Sequence, residues 1–252
     1  MNESLERLLD KLTGHKNRLD KLRPFSPGAI SKLKEYYDVE WTYNSNAIEG
    51  NTLTLGETRL VILDGVTIGG KSVREHLEAI NHKKAIDALE QFVTTHHPID
   101  EPHLLRLHSL ILREIDDANA GRYRTSQVYI SGSSHVPPEA GAVPHLMADM
   151  IGDIQKKIGK GTEHPVWLAA DAHYQLAKIH PFIDGNGRVS RLLMNLILIQ
   201  QGYAPAVISF AQRAEYIQSL EKANAGDHDP FYLLVAEAEE ISLLRYIRAV
   251  GG

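Results

Sequence analysis

Apolar residues recur at three- and four-residue spacing through most of the chain. The pattern is clear in "LERLLDKL", in "AISKLKEYYDVEWTY" and in "HLEAINHKKAIDALEQFV". That spacing puts an apolar stripe on one side of an α-helix. Two later segments, "HPVWLAADAHYQLAKIH" and "RVSRLLMNLILIQQGY", read as buried helices. Helix starts are marked by capping-box patterns at Thr54/Glu57 and Ser72/Glu75, and Pro102 suits a first helical turn. Gly50, after "NSNAIE", suits a helix C-terminus. One stretch breaks the helical period. In "RTSQVYISGSSHVPP", residues 124–138, Val128, Tyr129 and Ile130 favour a strand and "SGSS" is turn material, which predicts a short β-hairpin flap. "RPFSPG", residues 23–28, is a second break. The expected architecture is all-α apart from that hairpin, with a helical extension over residues 1–40 and one domain over 41–252.

Composition narrows the function classes. The chain has 252 residues, 43% hydrophobic and 23% charged, as in ordinary soluble globular proteins. Its 27 basic and 32 acidic residues give a formal charge of -5, which argues against a dedicated nucleic-acid binder. With no cysteine, disulfides, cysteine-ligated zinc and a thiol nucleophile are excluded. The same absence fits a reducing compartment, so a cytoplasmic location is expected. "MNESLERLLDKL" lacks the basic and apolar regions of a signal peptide, and the apolar run near "LLMNLILIQ" is far below the ~20 residues of a membrane span. The 13 histidines form no His-x-x-x-His pair enclosing an acid, so nothing points to zinc.

Chemistry concentrates in "HPFIDGNGRVSR", residues 180–191. Here a histidine, an acid, two glycines, an asparagine and two arginines interrupt a buried helical hairpin. Pro181 disfavours helical geometry at His180 and ends the first helix. Gly185 and Gly187 permit backbone conformations and close approaches that larger residues do not. The second helix is expected to begin near Gly187 or Arg188, offering unpaired N–H groups and the positive end of its dipole to an anion. Arg188 and Arg191, three apart, share a face near that end. Asp184 stands where a divalent cation would bridge to phosphate, and His180 is a titratable base beside it. A lone histidine or a lone Asp-Gly would be read as a cap and a turn; seven such positions converging on one helix N-terminus point to phosphate.

"HPFIDGNGRVSR" resembles the signature of the Fic domain, His-Pro-Phe-x-Asp/Glu-Gly-Asn-Gly-Arg-x-x-Arg, at every fixed position. The similarity runs from about residue 40 to about residue 235. The resemblance implies a Fic-type helical bundle with a flap, and transfer of AMP from ATP, with Mg²⁺, to a Ser, Thr or Tyr hydroxyl of a target protein. It assigns His180 as general base and Asp184 as the Mg²⁺ ligand. Gly185, Asn186 and Gly187 become the anion hole for the α- and β-phosphates. Arg188 faces the leaving pyrophosphate and Arg191 the γ-phosphate. Tyr216 and Asn224 match positions near adenine and ribose. In the flap, Ile130 and Ser133, Ser134, His135 and Val136 are candidates for holding the target segment by strand addition, with the last four also near the nucleotide.

"SNAIEG", residues 45–50, resembles the family's inhibitory motif, Ser/Thr-x-x-x-Glu-Gly/Asn, with Ser45, Glu49 and Gly50 in the fixed places. An arbitrary glutamate at a helix end faces water. The resemblance instead implies an inhibitory helix over about residues 36–50, in which Glu49 takes Arg191 in a bidentate pair and keeps the γ-phosphate out. In some members this glutamate also activates water to remove AMP. Val73 sits where the family makes a dimer contact, so a homodimer is expected. Two other readings stay open: a nucleotide-binding regulator held shut by Glu49, and a Fic enzyme transferring another phosphate-containing group.

Overall fold

The computed structural model describes residues 3–251, and among these the regular structure is helical with no strand. Ten α-helices follow in order: α1 (Glu3–Asp20), α2 (Pro27–Ile48), α3 (Leu55–Asp64), α4 (Val73–Thr94), α5 (Glu101–Leu112), α6 (Val143–Lys160), α7 (Pro165–Ile179), α8 (Asn186–Gln200), α9 (Arg213–Asn224) and α10 (Asp229–Val250). The start signals act as their chemistry requires. Thr54 and Ser72 each accept from the backbone N–H three residues on, and Glu57 and Glu75 reach back to the cap N–H, completing both boxes. Pro102 lies in the first turn of α5, and Gly50, at φ 101°, follows the end of α2.

The centre is the α7–α8 hairpin. Val189, Leu192, Leu193, Met194, Ile197 and Leu198 of α8 are wholly buried, as are Ala169, Ala170 and Leu176 of α7. A helix buried on nearly all sides needs neighbours on nearly all sides. Packed around the hairpin are α4 and α5 on one flank and α6, α9 and α10 on the other. The break at residues 23–28 separates helices rather than cores. Leu5, Leu9, Leu12 and Leu19 of α1 belong to the same apolar cluster as α8, reached by packing along α10. Likewise α2 is one continuous helix begun by Ser26, so the expected boundary at residue 40 falls inside it.

The anticipated β-hairpin does not form. Residues 124–138 are turns and irregular chain. Tyr129 and Val136 are largely exposed, and no second strand lies alongside to satisfy a ladder, which strand propensity alone cannot replace. Side chains hold the segment instead. Arg124 donates to the carbonyls of His180, Ser126 and Pro138, and its own N–H reaches Pro181 O at 2.9 Å.

Candidate active site

The α7–α8 loop carries the chemistry because its backbone is forced. With helical geometry denied by Pro181, His180 caps α7 in the left-handed region, φ 51° and ψ 58°, which side-chain-bearing residues rarely occupy. Its N–H still closes on Leu176 O at 2.9 Å. Nδ1 lies 3.3 Å from Ala177 O, so Nε2 is the ring atom without a protein partner. Burial pushes the His180 pKa below its ordinary value, only partly opposed by the Ala177 carbonyl. A neutral imidazole, able to accept a proton, therefore lines a cleft of about 250 Å³.

Behind the loop, His108 fixes its course. Gly121 N–H donates to His108 Nδ1 at 2.9 Å, which leaves Nε2–H to donate to Asp184 O at 3.0 Å. Burial drops the His108 pKa to about 4, keeping the ring neutral for this task. The ring stacks on Phe182 with centroids 3.7 Å apart. Gly185, at φ 80°, lies against His108 and Ile111; a Cβ there would stand 3.3 Å from Ile111 Cγ2 and 3.4 Å from His108 Cδ2. The Asn186 side chain is spent inside the loop, accepting from Phe182 N–H and donating to Phe182 O, both at 2.9 Å. Its contribution to an anion hole is therefore its backbone N–H. The first intrahelical bond of α8 is Val189 N–H to Gly185 O, so the N–H groups of Asn186, Gly187 and Arg188 have no intrahelical partner.

A carboxylate already stands at that helix end. A Cβ placed on Gly187 would fall 2.2 Å from Glu49 Oε1 and 3.1 Å from Arg191 Nη1. Glu49 caps the C-terminus of α2 and accepts from Arg191 Nη2 at 2.7 Å. The pair is single-pronged rather than the bidentate fork expected, because Nε and Nη1 both donate elsewhere. Nε donates to Ser45 Oγ at 2.9 Å, Nη2 also to Ser45 O at 2.8 Å, and Nη1 to Tyr216 Oη at 3.2 Å. Arg191 is thus fully enclosed, whereas the Glu49 side chain keeps 39% exposure. The end of α2 is pinned from both sides: Arg213 Nε donates to Ile48 O at 2.7 Å and Asn46 Nδ2 to Glu78 O at 3.3 Å.

Asp184 accepts from Arg188 Nη2 at 3.0 Å, from Arg74 Nη2 at 2.8 Å and from Gly185 N–H. Burial opposes its ionisation, but Arg188, the Gly185 N–H and Arg74 outweigh it and hold the carboxyl below its usual range. No group of three or more His, Asp or Glu side chains is poised for a metal among the described residues. One ionised carboxylate beside an anion cradle suits Mg²⁺, which takes its other ligands from phosphates and water.

Across the cleft, Glu221 of α9 ties down the flap, accepting from the hydroxyls of Ser133 and Ser134 and from Ser134 N–H at 3.2 Å. Asn224 donates to the same carboxylate at 3.4 Å. His135 lines the cleft with Nε2 at 2.8 Å from Lys178 O, while Val136 points to solvent at 61% exposure. Val73 stands at the start of α4, 76% exposed and far from the core. Sequence reasoning missed Arg74, His108, His173, Arg213 and Glu221. None belongs to a spaced motif; each reaches the site by long-range packing, which leaves no local signal.

The Fic/DOC family model matches residues 98–198, which contain the loop. A solved structure of Fic-1 from Caenorhabditis elegans superposes with a TM-score of 0.83 at 37% identity, covering 98% of this chain and 73% of that one. The chain belongs to the Fic/DOC family. A Fic-domain signaling protein from Bacteroides thetaiotaomicron superposes with a TM-score of 0.88 at 27% identity, covering 97% of this chain and 98% of that one. Protein adenylyltransferase fic-1 of Caenorhabditis briggsae is 42% identical over 220 residues, 86% of this chain and 43% of the relative. This Fic chain thus spans less than half the length of the curated relatives it matches. No helix among the described residues is long and apolar enough to cross a membrane.

Proposed function

We propose that this Fic chain is a protein adenylyltransferase held in check by Glu49. The observation that supports this most directly is the seat of the Glu49 carboxylate: it lies on Gly187 at the N-terminus of α8 and on Arg191, two anion-attracting features at once. A polyphosphate has the same two partners to claim. The matched relatives are named protein adenylyltransferases, which supports ATP as the donor.

In this reading a Ser, Thr or Tyr hydroxyl of the target gives its proton to His180 Nε2 as its oxygen attacks the α-phosphorus. The bond from that phosphorus to the bridging oxygen breaks, and pyrophosphate leaves past Arg188. The α8 N–H groups hold phosphate oxygens, and Arg191, freed from Glu49, takes the γ-phosphate. Asp184 is the group that would hold Mg²⁺, whose chemistry is to neutralise phosphate charge; Arg74 and Arg188 occupy the carboxylate otherwise. Catalysis here is positioning and charge neutralisation, with the base adding about 10²–10⁴-fold. The flap, irregular and without a neighbouring strand along residues 128–130, would accept a target segment by strand addition. Val73, exposed on α4, would meet a second copy.

The test is transfer of label from α-labelled ATP with Mg²⁺, using wild type, Glu49→Gly and His180→Ala. Label is expected to be strongest with Glu49→Gly and absent with His180→Ala. No label on any protein, this chain included, from Glu49→Gly would overturn the reading. Labelled UTP and CDP-choline run alongside separate AMP transfer from transfer of another phosphate-containing group.

A further inference from the structure

Arg191 has four protein contacts, and they are unevenly shared. Three go to the end of α2: Ser45 Oγ, Ser45 O and Glu49 Oε1. The fourth, Nη1 to Tyr216 Oη at 3.2 Å, goes to α9. Tyr216 is itself backed by His173 of α7, whose Nε2 lies 3.0 Å from Tyr216 Oη. Both residues are buried, and Phe231 packs against both rings.

The proton positions follow from counting donors. A guanidinium only donates, so Tyr216 Oη accepts from Arg191 and its own proton is free to go elsewhere. His173 Nε2 is the acceptor within reach, which requires the neutral ring with its proton on Nδ1. That assignment leaves one buried orphan, Nδ1–H; the opposite tautomer would leave two, the Nδ1 lone pair and the phenol proton. Burial and the charge of Arg191 both keep His173 neutral.

We infer that Tyr216 and His173 are positioning residues that hold Arg191 in place once Glu49 releases it. The inference rests on the proposal that Arg191 receives the γ-phosphate of ATP. A displacement of the α2 end that withdraws Glu49 also strains both Ser45 contacts, since all three lie within five residues of one helix end. The chain Arg191–Tyr216–His173 contains no residue of α2. It runs to α7, the other half of the central hairpin, and so fixes the guanidinium to the same body that carries His180.

The experiment uses the full chain in a Glu49→Gly background, with ATP affinity by calorimetry and self-labelling kinetics on each variant. Tyr216→Phe removes one oxygen and keeps the ring. His173→Leu removes the acceptor, and His173→Gln restores one through its amide oxygen. Losing a hydrogen bond to a charged group corresponds to roughly tenfold in affinity. Tyr216→Phe and His173→Leu are expected to raise the ATP dissociation constant and the KM by that factor, with kcat changed much less, and His173→Gln to recover most of it. Thermal melting of each variant separates positioning from folding. Unchanged ATP affinity in Tyr216→Phe, or failure of His173→Gln to recover affinity while His173→Leu loses it, overturns the inference. If Glu49→Gly transfers no label, the proposed function fails while calorimetry still decides whether this pair supports Arg191.

Discussion

Gly187→Ala separates the lock from the cradle it occupies. Gly187 is at the second position of α8 and its φ is not in the left-handed region, so the backbone tolerates alanine. The new Cβ would stand 2.2 Å from Glu49 Oε1. An ordinary carbon–oxygen contact is about 3.3 Å, so the carboxylate must retreat by about 1 Å. The Arg191–Glu49 bond, now 2.7 Å, would then lie outside hydrogen-bonding range. Losing a bond to a charged group costs about 1.5–3 kcal/mol; at 39% exposure Glu49 regains water, which favours the low end. Alanine returns up to about 1 kcal/mol of helix propensity. The net loss of about 1 kcal/mol amounts to a Tm decrease of about 2–4 °C for a chain of this size. Activity responds differently. The same methyl occupies the space a phosphate oxygen needs against the α8 N–H groups, and a misplacement of about 1 Å costs roughly 10²-fold. Gly187→Ala is therefore unlocked yet inactive, and in a Glu49→Gly background it lowers self-labelling about a hundredfold. Radioactive ATP labelling with a parallel melting curve measures both. If Gly187→Ala labels itself as strongly as Glu49→Gly, the N-terminus of α8 is not the phosphate cradle.

His180→Ala is expected to stop transfer while calorimetry shows ATP affinity nearly intact, because the base meets the target hydroxyl and not the nucleotide. Since burial depresses the His180 pKa, transfer should persist below the ordinary histidine value of about 6.5 and fall only as pH drops through the lowered pKa, a profile read from labelling rates across pH. Asp184→Ala should lose the Mg²⁺ dependence of transfer, followed by Mg²⁺ titration; undiminished activity across that titration would refute its role. His82 and His173 are buried with pKa values well below normal. The unfolded chain takes up their protons below about pH 6.5 and the folded chain does not, so stability contributed by them falls as pH is lowered from there. Glu239 has the opposite sign: burial raises its pKa well above normal and Oε2 has no partner. Glu239→Gln should raise the Tm at pH 8 and leave it unchanged at pH 4.

The helices were legible because their causes are local. Capping boxes at Thr54 and Ser72, the proline at α5's second position and the apolar run of α8 act within a few residues of themselves. The loop at 180–191 was legible for the same reason, since Pro181, Gly185 and a helix N-terminus mark it locally, although His108 and Arg124 complete its support from a distance. Two expectations depended on distant partners and came out differently. Val128–Ile130 has strand propensity but no neighbouring strand, so it stays irregular. Glu49 meets Arg191 through one oxygen, because Ser45 takes Nε and shares Nη2 while Nη1 donates to Tyr216. Arg74, His173 and Glu221 were invisible for a related reason: each matters only through a residue far from it in sequence.

On the proposed reading, the seat of Glu49 at the α8 N-terminus would make it a tethered competitor, its strength a matter of effective concentration rather than intrinsic affinity. A carboxylate on a short leash acts at about millimolar local concentration, against a free ligand that carries more charge and reaches more donors. The balance is then set by how tightly the leash is held. Arg213 on Ile48 O, Asn46 on Glu78 O and the Lys34 contacts to Asp87 and Glu90 of α4 hold it. Arg213 borders the cleft, but Lys34, Asn46 and Glu78 do not line it, so the threshold for activation would be adjustable at residues away from the loop, leaving its chemistry as it is.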